Sequence, residues 1–150
     1  ADLIRKRLMN IKMRLYATQE YLAEFGTPTT MDDFTQHRLI CQHAGTSQVA
    51  AGANLVAELM SHDIPSKLTV NNYFGVLQGV LNHLGIGVLP DYITEDFPHL
   101  VRVLPETESS EVPVFLAYPE ELRHSKRVAA FREFVSEEIF NYRKRQQGAV

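Results

Sequence analysis

The chemistry-bearing residues of this chain are few and scattered. Cys41 is the only cysteine. A thiol becomes a nucleophile beside a base in a polar cleft, but Cys41 lies in the β-prone run Leu39-Ile40-Cys41, and a buried structural thiol is expected. The six histidines stand at 37, 43, 62, 83, 99 and 124. His37 and His43 bracket a predicted strand, a spacing that suits no common zinc pattern. Gly85-Ile86-Gly87 follows a helix and lacks the third glycine of a dinucleotide fingerprint, and there is no P-loop. Ser47 has no G-x-S-x-G elbow around it. Asp32 with Asp33 fits a helix start, and Glu120 with Glu121 fits a solvated loop. No catalytic constellation and no cofactor, metal or prosthetic group is expected. What remains is a class of polar groups suited to binding: Asn71 and Asn72 before a helix, Thr18 at another, and Thr46 and Ser47 in a glycine-containing loop.

Residues 67–90 contain the element that would position the two asparagines. Residues 67–70 are β-prone. Asn71 or Asn72 is placed to cap a helix, because an Asn side chain accepts from free first-turn N–H groups. Tyr73, Val76, Leu77, Val80, Leu81 and Leu84 recur at three- and four-residue spacing, which makes an apolar stripe. Gly85 is the expected left-handed stop. Residues 86–89 form an almost wholly apolar run, as in a strand covered on both faces, and Pro90 ends it. A helix N-terminus at a strand's carboxyl end offers N–H groups and partial positive charge, and that edge is where open α/β sheets bind ligands.

The rest of the chain reads in the same alternation. Residues 2–10 carry Arg5, Lys6 and Arg7, read as solvated surface. Residues 11–17 alternate apolar and basic, as in a half-buried strand. Thr18 caps a short helix over 19–25, closed by Gly26. Thr30 and Asp33 fit a capping box that opens a brief helix ending near His37. Residues 39–41 are a buried strand. Val49, Ala53, Val56 and Met60 fit one helical face. Residues 91–99 read as a loop, 100–104 as a strand, 106–111 as an exposed acidic turn, and 112–118 as a second strand with Pro113 at its edge. Ser125 caps a long final helix whose stripe is Val128, Phe131, Val135, Ile139 and Tyr142, flanked by Phe134. Arg143, Lys144 and Arg145 close it, where cations offset the helix dipole.

Composition sets the outer bounds. The chain has 150 residues, is 45% hydrophobic and 22% charged, and carries a net charge of −3. That is an ordinary soluble globular composition, without the basic surplus of a nucleic-acid-binding segment. With a single cysteine no internal disulfide is possible, so a reducing cytoplasmic home is expected. No apolar run approaches the ~20 residues of a membrane helix, and no signal peptide is visible, so no membrane partner is expected. The chain has no initiator Met and is expected to start partway through a longer protein or after an added residue. Short strands alternating with helices imply an α/β layered domain.

The ordered set of segments resembles a known family. Residues 14–40, RLYATQEYLAEFGTPTTMDDFTQHRLI, resemble the LysR-type transcriptional regulators where a strand leads into a "YL…G.P…DL..H" pattern. Residues 70–93, VNNYFGVLQGVLNHLGIGVLPDYI, are similar to that family's strand, helix and G-x-G-x-x-P run. LVRVLPE and VPVFLAYPEELRHSKRVAAFREFV resemble its closing strands and final helix. The resemblance implies a fold like the type 2 periplasmic binding proteins, with two α/β subdomains joined by crossing strands around a small-molecule cleft. It implies that residues 1–150 are a partial effector-binding domain. Residues 12–118 would form the second subdomain with crossing strands, and 125–145 would form a helix returning to a first subdomain that is mostly absent. It implies effector-binding roles for Thr18, Thr46, Ser47, Asn71 and Asn72. It further implies a small, anionic effector such as a carboxylate, a homo-oligomer (dimer or tetramer), and DNA contact only through an N-terminal domain outside this chain. The alternatives are a stand-alone solute-binding module, an exported uptake protein, an oligomerisation module, and an enzyme, for which the residues supply no template.

Overall fold

The computed structural model describes residues 2–43 and 50–148. The chain divides into two compact units: Ile11–Val112 form one, and the terminal segments on either side of it form the other.

The central unit is a five-stranded mixed sheet. Its strands are β2 (Met13–Ala17), β3 (Arg38–Gln42), β4 (Ser66–Val70), β5 (Ile86–Pro90) and β6 (Val101–Glu108), in the spatial order β4-β3-β5-β2-β6. Strands β4 and β5 run parallel to β3, while β2 runs antiparallel to both β5 and β6. Helices α1 (Gln19–Phe25), α2 (Ala50–Met60), α3 (Tyr73–Leu81) and the single turn α4 (Ile93–Asp96) complete it, with a 3₁₀ turn over Met31–Gln36.

Side-chain alternation along the strands builds a core on each face. On one face Met13, Leu15, Leu39, Cys41, Ile86, Val88 and Val103 pack with Tyr21 and Leu22 of α1 and Leu55, Val56 and Leu59 of α2. On the other, Tyr16, Ile40 and Leu89 pack with Val76, Leu77 and Val80 of α3. Every residue of β5 is buried, as its apolar run predicts. Cys41 is fully buried, and burial pushes its thiol pKa up, as expected of a structural thiol.

Caps appear where the sequence places them. The Thr18 hydroxyl accepts from the Tyr21 amide, and Gly26 closes α1 at φ 85°. The Asp33 carboxylate accepts from the amides of Thr29 and Thr30 at 2.8 and 3.0 Å. These bonds, to Thr29 first, hold its pKa below the ordinary value. The stop of α3 differs from expectation. The helix ends at Leu81, the left-handed residue is His83 (φ 62°), and Leu84 is exposed rather than part of the buried stripe. Gly85 is required for a different reason: a Cβ there would stand 2.6 Å from the Arg38 carbonyl oxygen. On α2 the buried face is Leu55, Val56 and Leu59, while Val49 lies outside the described residues.

The terminal unit pairs β1 (Leu3–Ile11) with β7 (Val112–Pro119) in a two-stranded sheet, followed by a 3₁₀ turn over Glu120–Leu122 and the long helix α5 (Lys126–Gly148). The basic run 5–7 is solvent-exposed as read, but it lies inside a nine-residue strand that local pattern alone did not reveal. Alternation in β7 turns Val114 and Leu116 inward and leaves Phe115 out. The α5 side chains meet the strands through Arg132, which donates to the Tyr118 hydroxyl at 2.7 Å, and Arg143, which donates to the Leu8 carbonyl at 2.6 Å. No α5 residue is buried.

Candidate functional site

The carboxyl ends of β3 and β4 lie side by side, since Gln42 pairs with Val70. From β3 the chain proceeds to α2 on one face of the sheet, and from β4 it proceeds to α3 on the other. Adjacent parallel strands whose connections leave toward opposite faces open a crevice at their carboxyl ends. Gln42, His43, Asn71 and Asn72 stand there. Asn72 is the N-cap of α3, and its side-chain oxygen accepts from the Gly75 amide at 2.8 Å. Its amide nitrogen donates to the Asn71 side-chain oxygen at 2.8 Å. Gln42 Nε2 donates to the Asn71 carbonyl at 3.0 Å, and the His43 amide donates to the Val70 carbonyl at 2.7 Å. Both asparagines are exposed. The first-turn amides of α3 have no acceptor within the helix, and the Asn72 side chain satisfies only Gly75. The arrangement is thus a preoriented set of amide groups at a positive helix end, suited to an anionic or carbonyl-bearing ligand.

Thr18 is not part of that group. Because β2 is antiparallel to β5, with Tyr16 opposite Gly87, the end of β2 lies at the amino end of β5, on the opposite edge of the sheet from Asn71 and Asn72. Thr18 is 1% exposed. Its hydroxyl accepts from the Tyr21 amide at 3.3 Å and bonds His83 Nδ1 at 2.7 Å. Its role here is to cap α1 and tie down the turn after α3. Thr46 and Ser47 lie outside the described residues.

Sequence reasoning missed a charged cluster on the same edge as Asn71 and Asn72. Glu108, read as part of an exposed turn, ends β6 and is only a quarter exposed. Lys12, Arg14 and Arg102 all reach its carboxylate, at 2.5, 3.0 and 2.8 Å. These cations, the Lys12 hydrogen bond foremost, hold its pKa down to about 2. Beside it the Ser109 hydroxyl accepts from the Met13 amide at 2.8 Å, and the Ser109 amide donates back to the Met13 carbonyl at 2.9 Å. Basic residues in β2 opposite an acid-rich segment were the available signal, but the pairing spans some ninety residues of sequence and no local rule reveals it. Among the described residues, no group of three or more His, Cys, Asp or Glu is gathered as a metal site, and no helix is long and apolar enough to cross a membrane.

Comparison with known proteins agrees with this architecture. The regulatory domain of CrgA, a LysR-type transcriptional regulator from Neisseria meningitidis, superposes with a TM-score of 0.74 at 23% identity, over 91% of this chain and 69% of that one. The full-length Vibrio cholerae virulence activator AphB gives 0.66 at 19% identity, over 92% of this chain and 48% of that one. These likenesses establish the fold, that of LysR regulatory domains of the type 2 periplasmic-binding-protein kind. In sequence, the HTH-type transcriptional regulator YhjC of Escherichia coli is 27% identical over 138 residues, 89% of this chain and 46% of that protein. An uncharacterized HTH-type regulator of Haemophilus influenzae is 25% identical over 122 residues, 79% of this chain and 42% of that protein. The chain thus spans less than half the length of these relatives. The family model of the LysR substrate binding domain matches residues 1–139, and the chain belongs to that family.

Proposed function

We propose that this chain is the ligand-sensing part of a LysR-type transcriptional regulator, and that it takes a small anionic metabolite, of the carboxylate class, at the N-terminus of α3. The observation that carries the reading is the convergence of Gln42, Asn71 and Asn72 at the crevice between β3 and β4. Amide donors at a positive helix end favour a carboxylate over a neutral solute. Thr46 and Ser47 come four and five residues after the end of β3 in the chain, and their hydroxyls would extend the donor set. The relatives are transcriptional regulators by name, so the full-length protein would bind DNA through an N-terminal domain, work in the cytoplasm as a homo-oligomer, and perform no catalysis.

A ligand regulates only through different affinities for two states of the protein. The test is therefore a panel of small carboxylates scored by operator affinity of the full-length protein. At least one should shift that affinity several-fold, and Asn71→Ala should weaken the response about tenfold, the equivalent of one good hydrogen bond. Identical operator affinity across the panel would sink the reading. An association module is the second reading, favoured by the exposed phenylalanines of α5.

A further inference from the structure

The Glu108 cluster is unusual in both its charge count and its backbone. Three cations, Lys12, Arg14 and Arg102, converge on one carboxylate. The nearby Asp91 attracts Arg14 as well, which leaves three positive charges against two negative. Each cation remains about a quarter to a third exposed, within reach of a solute. Arg102 Nε is buried and has no hydrogen-bond partner among the described residues. The backbone bends sharply to bring Glu108 here. The β2–β6 ladder pairs Leu15 with Val103 and then Arg14 with Glu108, so residues 104–107 bulge out of register. Leu104 adopts φ 47°, a left-handed conformation that crowds the Cβ of an L-residue. Arg102 closes the bulge twice, donating to the Pro105 carbonyl at 2.6 Å and to Glu108 at 2.8 Å.

We propose that this cluster is an anion-binding site that Glu108 fills as an intramolecular ligand, and that a small dianion of the phosphate or dicarboxylate class displaces it and releases the 104–107 bulge. Guanidinium groups match the oxygen pairs of both ligand classes. A dianion also neutralises the surplus charge better than the single carboxylate it replaces. The left-handed Leu104 is retained only while the contacts around it hold, so losing the Glu108 anchor favours a relaxed bulge. A tethered carboxylate competes at high effective concentration, which makes external anions weak ligands of the unaltered chain and tight ligands once the tether is removed. The cluster stands at β2 and β6, with β5 and β3 between it and β4, which Asn71 and Asn72 follow.

The test titrates inorganic phosphate, and malonate in a parallel arm, into the whole chain at constant ionic strength made up with chloride. Binding is followed by the arginine Nε–H resonances and by amide hydrogen exchange. Phosphate or malonate, whichever is the better ligand, should bind the unaltered chain at millimolar concentration and shift the Arg14 and Arg102 signals. Exchange at Thr107–Ser109 should be faster in that anion than in matched chloride. Glu108→Gln should tighten binding at least tenfold, and adding Arg102→Met should abolish the gain. The shorter Glu108→Asp, a milder change for folding, should give an intermediate gain. Equal affinity with and without the Glu108 carboxylate would overturn the proposal. So would shifts confined to Asn71 and Asn72, or exchange rates equal in the dianion and chloride.

Discussion

At the residue scale, a buried polar contact in the core joins Tyr21, His37 and Arg38. The Tyr21 hydroxyl accepts from the Arg38 amide at 3.0 Å and lies 2.9 Å from His37 Nδ1. It is most simply read as donating its proton to Nδ1, which fixes a neutral imidazole with its own proton on Nε2. Burial pushes the His37 pKa below its ordinary 6.5. Tyr21→Phe strands a buried imidazole nitrogen and a backbone amide, and should cost roughly 1–3 kcal/mol in urea unfolding. The pH dependence has a definite sign. The unfolded chain takes up the His37 proton first, so this contribution is complete above about pH 6.5 and is lost as pH falls below it toward the depressed folded pKa. Glu108 acts in a lower window: its folded pKa of about 2 against 4.5 gives stability that is present above about 4.5 and lost as pH falls toward 2. Urea midpoints measured from pH 8 to pH 3 should therefore fall in two stages. His37→Asn, which keeps an acceptor for Tyr21, should remove the upper stage and leave the lower. In the sequence His37 was one of six scattered histidines, because its partner lies sixteen residues away on α1 and nothing local marks the pair.

At the element scale, what was legible is what depends on near neighbours in sequence. The caps at Thr18, Asp33 and Asn72, the stripe of α3 as far as Leu81 and the apolar run of β5 are all written within four to nine residues, and these occur. What was illegible depends on distant partners. Strand β1 is held by β7, over a hundred residues on, so its basic run reads as surface. The bulge of β6 exists because β2 places Arg14 opposite Glu108. Thr18 and Asn72 are both helix caps with the same local signature, and only the antiparallel placement of β2 separates them to opposite edges. Close packing of α3 on β5 yields a sharper test. A Cβ on Gly87 would press against Val80 and Val76 of α3, and both are fully buried. Gly87→Ala should therefore force α3 outward and lower stability by roughly 1–3 kcal/mol, the usual cost of overpacking. The same substitution at Gly26 meets no neighbouring atom and should cost only the strain of its positive φ, so comparing the two urea midpoints separates crowding from backbone conformation.

At the scale of the whole molecule, the two units are unequal in how much core they possess. The central unit buries side chains on both faces of five strands. The terminal unit has two strands and a helix that buries no residue, near the limit at which a sheet is stable in water. Phe131, Phe134 and Phe140 of α5 are 56, 60 and 55% exposed. Phe115 and Leu3 are exposed as well, with Arg5 lying over the Phe115 ring. Of the stripe read from the sequence, Val128, Val135, Ile139 and Tyr142 are half-buried, whereas Phe131, the flanking Phe134 and Phe140 stay exposed; the spacing marked an apolar face but not which of its residues would be covered. Large exposed apolar surface promotes association. The isolated 150-residue chain should therefore sediment with a weight-average mass that rises with concentration. Replacing Phe131, Phe134 and Phe140 together by Ser should abolish that rise while leaving the amide exchange of β2, β3 and β5 unchanged, because those strands draw their stability from the other unit's core. If the triple variant associates as strongly as the parent chain, these phenylalanines are not the adhesive surface. The exposed β4 edge, whose Leu68 is 43% exposed, then becomes the surface to vary, since an open strand edge pairs through its backbone and does not need the phenylalanines.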